Sequence, residues 1–430
     1  MYPQTFSTSE RVGSVSIGLR WSGSTRGFAE HGTGSGHFPL PGREADDGQM
    51  KIALVRYRYS SHGGAERYVD TLSAALSDAG AEVLILCASW DGSSAGKVGV
   101  ERISAPRKPV PLRLLLFARA IRDWAANHPE WLLFSLERVP GAEVYRAGDG
   151  IHAEWLLRKR SLRQGSWPLD YLRPLNLAYL HLERSMFGSP ALRLVIANSN
   201  RGREEIIHRF GLPAEKIRVI HNGIDIARFP PARKADARVR FRMRYGIPDG
   251  ETVFLFVGSG FARKGVGTIA RAARLLSERG CETFRVVLAG KGDPSTYVRS
   301  AGPASGRLLF TGPVAGADDL FLGADAFLFP TVYEPFSNAC LEAMAAGLPV
   351  VTSLVNGVSE VLREGVSGFL LEDPFDAAVL ADRMEKLFSS DLRRRMGEQA
   401  RRVAEAYPVE RNTRETLEVL DLAWRARGGS

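Results

Sequence analysis

The segment Ala324–Pro349, ADAFLFPTVYEPFSNACLEAMAAGLP, changes from strand to helix within a few residues. ADAFLFPT is an apolar run of strand length, closed by Pro330 and Thr331. Beyond it Leu341, Met344 and Ala345 make one apolar stripe at helical spacing, and Gly347-Leu348-Pro349 stops the helix. Glu334 falls in the connecting loop, Ser337 falls at the N-cap, and Glu342 lies about a turn further on. The first N–H groups of a helix are unpaired and make a site for an anion such as a phosphate. Two carboxylates beside that point would not neutralise a phosphate, so they suit hydroxyl groups as partners. A capped helix with two solvated glutamates would satisfy the same string, and the rest of the chain has to decide.

The rest alternates strand and helix. MKIALVRY (Met50–Tyr57) is a buried-strand run, RYSSHGGAER a loop, Ala65–Gly80 a helical period, and AEVLILCAS (Ala81–Ser89) the next strand. That order opens a doubly wound parallel sheet. Gly63 and Gly64 in the loop are not G-x-G-x-x-G, so a dinucleotide fingerprint is missing, but adjacent glycines let backbone approach a ligand. A tight turn is the plainer account of the pair. Further strands are expected at 131–136, 192–199 and 217–225, and helices at 112–124 and 201–210. Residues 226–245, rich in arginine with two prolines, are expected to be a linker. ETVFLFVGS (Glu251–Ser259) then starts a second such unit, with strands at 284–290, 307–312, 348–353 and 367–372. The expected organisation is an N-terminal extension (1–49) read as disordered, a first Rossmann-like domain (50–225), the linker, a second Rossmann-like domain (246–410) and a terminal helix (411–430).

The chain of 430 residues has room for two cores, and 24% charged residues is ordinary for a globular protein. No stretch approaches the roughly 20 apolar residues of a membrane span, and 1–49 lacks the apolar core of a secretory leader. Cys87, Cys281 and Cys340 have no metal-ligand spacing and read as reduced core residues of a cytosolic protein. No D-x-D occurs and no His/Cys cluster suits zinc, so neither a metal nor a cofactor is expected. The net charge of +9 favours an anionic partner. A nucleic-acid binder would show aromatic-basic platforms or a helix motif, and none is found.

Several loops then gain meaning together. GSGFARKGV (Gly258–Val266) follows a strand and sets Arg263 and Lys264 beside glycines, including Gly260, where a diphosphate could rest. AGKGD, with Gly290, and FTGPV, with Thr311, also end strands, where α/β sheets gather ligands. HNGID, with Asn222, reads equally well as a turn or a contact. Asp149 and His152 in AGDGIHAE could serve an acceptor hydroxyl, though an aspartate there could simply cap a helix.

E-P-F-x-x-x-x-L-E-A-M-A-x-G-x-P-V, with R-K-G-V and G-G-A-E-R, resembles glycosyltransferase family 4, retaining sugar-nucleotide transferases of the GT-B fold. PG-x-x-V-Y-x-A-x-D and S-W-D-G resemble one branch of it, the bacterial lipopolysaccharide core α-1,3-glucosyltransferases. The resemblance covers 50–430. It departs at Ser337, where the family usually has glycine. It implies a catalytic set of Asp149, Glu334, Arg263 and Lys264. Arg263 and Lys264 would hold the diphosphate, Glu334 the donor-sugar hydroxyls, Glu342 the ribose and Asp149 the acceptor, with His152 a second acceptor-side candidate. Gly63, Gly64, Asn222, Gly260, Gly290, Thr311, Phe336, Ser337 and Asn338 would line the substrates. The implied donor is a UDP-sugar, UDP-glucose on the closer likeness, and the acceptor a lipid-linked core oligosaccharide. Another hexosyl- or mannosyltransferase of exopolysaccharide synthesis keeps the same motifs. A lipid acceptor and no span imply a cytoplasmic protein peripheral on the inner face of the membrane. Arg158, Lys159, Arg160, Arg163, Arg173 and Arg184, interleaved with Trp155, Trp167, Tyr171 and Tyr179, are the expected contact with an anionic surface.

Overall fold

The computed structural model describes residues 49–59, 64–91, 98–106, 108–162 and 167–428. Gly63, Arg163 and the extension 1–48 lie outside the described residues, as does the side chain of Trp167.

Seven parallel strands form the first sheet: β1 (Lys51–Val55), β2 (Glu82–Cys87), β3 (Val98–Arg102), β4 (Leu132–Ser135), β5 (Val144–Arg146), β6 (Leu194–Ala197) and β7 (Ile217–Val219). Their order is β3-β2-β1-β4-β5-β6-β7, so the chain turns back at β1. The strands read as nearly unbroken apolar runs because helices cover both faces. Ile52 and Leu54 point one way, into a core with Val69, Leu72 and Leu76 of the helix Gly64–Asp78. Ala53 and Val55 point the other way, onto Phe117, Ile121 and Trp124 of the helix Val110–Asn127.

Six more parallel strands form the second sheet: β8 (Thr252–Val257), β9 (Phe284–Ala289), β10 (Leu308–Gly312), β11 (Ala326–Phe329), β12 (Val350–Ser353) and β13 (Gly368–Leu371). Their order is β10-β9-β8-β11-β12-β13, again turning back beside the first strand of the unit. In both sheets ligands are expected beyond the carboxyl ends of the strands at that reversal.

The chain crosses between the sheets twice, side by side. Ile224 N–H donates to Tyr407 O at 3.0 Å and Val409 N–H donates to Ile224 O at 3.1 Å. The helix Val409–Gly428 that follows buries Leu417, Leu420 and Ala423 in the core of the first sheet. A carboxylate of the second unit closes the joint. Glu360 accepts from the Asn200 and Arg201 amides at 2.9 and 2.8 Å and contacts His221 Nε2 at 3.1 Å. It thus caps the helix Asn200–Phe210 of the first unit.

Residues 226–245 are not a linker. Two short turns lead into the helix Lys234–Tyr245, and Phe229, Ala237 and Phe241 are buried in the second core. Arg242, 4% exposed, reaches Asp325 at 3.1 Å. The arginine density that looked like a solvated connector is the outer face of an amphipathic helix plus one buried ion pair.

The basic-aromatic stretch 155–187 also differs in detail from the expectation. It includes the helices His152–Lys159, Trp167–Leu172 and Pro174–Phe187. Tyr179 turns inward against His152, ring centroids 4.8 Å apart, and lies under Arg138. Arg158 turns inward over the Tyr333 ring, and Glu183 is buried against Arg138 at 2.9 Å. Lys159 and Arg173 both pair with Asp170 at 2.9 Å. Arg160, Arg173 and Arg184 are exposed, and beside them a set of leucines faces outward: Leu157, Leu169, Leu172, Leu175 and Leu177.

Candidate active site

A cleft of about 650 Å³ lies between the units, at the reversal points of both sheets. That is the size of a small-molecule site. On the wall of the second unit the loop after β11 delivers Glu334, and the helix Asn338–Ala345 follows. Ser337 caps it, its hydroxyl accepting from Cys340 N–H at 3.3 Å, and its own amide donates to Asn356 Oδ1 at 3.2 Å. The amides of Asn338 and Ala339 have no acceptor among the described residues and lie at the cleft. Those two N–H groups are a seat for an anion.

Glu334 Oε2 stands 3.2 Å from Arg263 Nη1 and 4.0 Å from Lys264 Nζ, yet this buried oxygen makes no hydrogen bond. Arg263 donates instead to Tyr333 O at 3.0 Å and braces the loop. Lys264 lies over the Phe329 ring, and burial pushes its ammonium below the usual lysine range against the opposing pull of Glu334. Glu342 is engaged by Arg228 at 3.1 Å, and Arg228 is tied in turn to Asp318. Burial pushes the Cys340 thiol up to about 12, which makes it inert.

Across the cleft the loop after β5 presents Asp149, exposed in the opening. This loop is held from behind. Arg138 Nη2 donates to Gly150 O at 2.8 Å, and Glu183 accepts from the amides of His152 and Ala153 at 2.5 and 3.2 Å. It is held from in front by Tyr333, the residue before Glu334. Ile151 N–H donates to Tyr333 Oη at 2.9 Å, and that hydroxyl donates to Glu205 at 2.9 Å. Gly150 has φ +71°, and a Cβ there would meet Pro335 Cγ at 2.5 Å and Tyr333 Oη at 2.7 Å. Only glycine lets the two loops approach this closely.

The cleft gathers Asp149, Lys264, Glu334, Phe336, Ser337, Asn338, Glu342 and Asn222 from the expected set. Asn222 bridges the walls, donating to Asn338 Oδ1 at 2.7 Å and Phe336 O at 3.2 Å. Arg263 stands behind Glu334. Gly260, Gly290 and Thr311 sit beyond the ends of β8 and β9 and within β10, and are not among the residues lining the cleft. Gly64 begins its helix. His152 is not among the residues lining the cleft: its ring meets Asn176 at 3.1 Å and Tyr179. Burial lowers its pKa, so it is neutral near pH 7. Arg228, Arg146 and Tyr333 were missed; each acts through a partner distant in sequence. Among the described residues no group of three or more His, Cys, Asp or Glu could hold a metal ion.

Two α/β units facing a polar cleft, with an anion seat on one wall and a carboxylate on the other, have the architecture of a GT-B glycosyltransferase. The model of the Glycosyltransferase Family 4 domain matches residues 62–228, and that of the glycosyl transferases group 1 domain matches 238–403. With one match on each sheet and most of the chain covered, the protein belongs to the GT-B glycosyltransferases and is a transferase enzyme. An uncharacterized glycosyltransferase of Methanocaldococcus jannaschii is 33% identical over 242 residues, 54% of this chain and 61% of that protein. The lipopolysaccharide glucosyltransferase WaaG of Escherichia coli is 24% identical over 363 residues, 83% of this chain and 94% of WaaG. A WaaG crystal structure superposes with a TM-score of 0.74 at 22% identity, covering 86% of this chain and 99% of that one. HepE of Anabaena, solved with UDP-glucose, superposes at 0.65 and 21% identity, covering 87% of this chain and all of HepE.

Proposed function

We propose that the protein moves a hexose, glucose from UDP-glucose, onto a lipid-linked core oligosaccharide, with retention of configuration at the anomeric carbon. The observation that carries this reading is the pairing, in one cleft, of the Glu334 oxygen and the Asn338 and Ala339 amides, unbonded among the described residues, with Asp149 on the facing wall. The amides and Lys264 would take the diphosphate, Glu334 a hydroxyl of the donor sugar and Glu342 the ribose. As the bond from the anomeric carbon to the phosphate oxygen breaks, negative charge grows on the diphosphate. Fixed donors aimed there stabilise that change more than the ground state. The acceptor hydroxyl, oriented by Asp149, attacks from the same face, and its proton passes to the departing phosphate oxygen. One glycosidic bond forms, UDP leaves, and no separate strong base is needed. The UDP-glucose complex of HepE and the name of WaaG support the choice of donor.

The acceptor being a lipid, we infer that the protein docks on an anionic membrane through 155–187. The outward leucines would enter the headgroup region, and Arg160 and Arg184 at the surface would add attraction.

The test is transfer by the purified full chain from a panel of sugar nucleotides to lipopolysaccharide core acceptors, read as UDP released. UDP-glucose should be the preferred donor, and Asp149→Ala should cut transfer at least a hundredfold while UDP affinity stays within about threefold. Turnover of no sugar nucleotide in the panel would refute the reading.

A further inference from the structure

Arg146 ends β5 on the floor of the cleft and is only 8% exposed. The other cations lining the cleft have acid partners. Arg56 meets Glu137 at 3.1 Å, Arg228 meets Glu342 at 3.1 Å, and Lys264 stands 4.0 Å from Glu334. No carboxylate among the described residues lies within 4 Å of Arg146. Its Nη2 donates to the neutral Asn222 Oδ1 at 2.9 Å, and its guanidinium lies 3.9 Å from the centre of the Tyr68 ring. Its Nη1 is buried and donates to nothing among the described residues.

A guanidinium taken out of water without a counter-charge is costly, and an unused N–H there adds to the cost. Tyr68 and Asn222 hold the group flat and in place but supply no charge. The neighbouring Gly148 has no side chain, and even a Cβ there would only reach ordinary contact with Nε. The arrangement is an oriented, half-occupied fork, the geometry that recognises phosphate oxygens.

We propose that Arg146 receives a phosphate carried by the acceptor, beside the hydroxyl that Asp149 orients. This rests on the transferase reading of the cleft. The donor diphosphate has its own partners on the opposite wall, in Lys264 and the Asn338 and Ala339 amides. Arg146 stands three residues from Asp149 on the same strand and loop, so whatever Asp149 addresses brings its anion to Arg146. The inference adds a specificity: the same acceptor without its phosphate is a poor substrate.

The test uses the full chain as wild type, Arg146→Gln and Arg146→Lys, with glucose 6-phosphate and glucose as probes, each titrated in saturating UDP. UDP is titrated separately. Wild type should bind glucose 6-phosphate at least tenfold tighter than glucose. Arg146→Gln should lose that preference, Arg146→Lys should keep only part of it, since the charge remains while the fork is lost, and UDP affinity should stay within twofold throughout. If Arg146→Gln fails to fold, the preference in wild type and in Arg146→Lys decides. Equal binding of the two probes by wild type overturns the proposal. So does a tenfold loss of UDP affinity in Arg146→Gln with glucose 6-phosphate unaffected, which would assign the arginine to the donor diphosphate. Wild type that takes up no UDP but still prefers glucose 6-phosphate through Arg146 would sink the donor reading and leave the anion site standing.

Discussion

Lys264 shows what burial does to a group whose charge the proposed reaction would use. Burial disfavours its ammonium, and Glu334 and Arg263 pull in opposite directions, with a net downward shift from the ordinary 10.5. A lysine pKa below its usual value means the proton is lost earlier as pH rises. On the proposed reaction, kcat/KM of the free enzyme should therefore fall on the alkaline side at a pH below 10.5. Lys264→Arg, whose charge persists above pH 12 or so, should move that limb up or remove it. An unchanged limb in the arginine variant would assign the titration to another group. At this scale the sequence was legible where a residue acts through its own loop. Ser337 as N-cap and Glu334 between strand and helix follow from local spacing. Arg228 on Glu342 and Tyr333 on Glu205 do not, since 114 and 128 positions separate the partners.

At the scale of elements, the strands were readable because parallel strands buried on both faces become continuous apolar runs. The segment 226–245 was misread for a related reason. A helix with one narrow apolar stripe, Ala237 and Phe241, carries so many arginines that composition hides its period. The loop Asp149–Ile151 could be recognised only by its motif, because its shape is set by the opposite wall. Replacing Gly150 tests that dependence. A methyl at φ +71° meets both Pro335 and the Tyr333 hydroxyl, so Gly150→Ala should force the walls apart. The expected cost is about 1–3 kcal/mol of stability, with the loss of turnover larger than the loss of UDP affinity. A thermal midpoint and turnover both equal to wild type would show that the loops do not need this contact.

At the scale of the molecule, two units are joined at paired crossovers, and on the proposed function the donor would meet one wall of the cleft and the acceptor the other. Among the described residues no helix is long and apolar enough to cross a membrane, and the proposed lipid acceptor would be met through the docking face proposed above. Leu169 and Leu172, 57% and 65% exposed, stand on the segment expected to dock. The sequence pointed to this region by its aromatics and cations, but several of those pack inward and the leucines remain outside. Burying a leucine is worth about 1.5–3 kcal/mol when complete. Changing both to serine should therefore weaken co-sedimentation with anionic vesicles by roughly tenfold or more. Vesicle binding that is indifferent to both leucines, or to anionic lipid content, would refute docking through this face.

The central claim, that a nucleotide sugar sits against Glu342, Lys264 and the start of the helix Asn338–Ala345, is tested most directly by titrating UDP onto three chains. Wild type should saturate. Glu342→Ala should bind about tenfold or more weakly, since a sequestered hydroxyl that loses its acceptor costs roughly 1–3 kcal/mol. Asp149→Ala, on the facing wall, should bind as wild type does. A wild-type chain that takes up no UDP, or a single affinity shared by all three, would contradict the account.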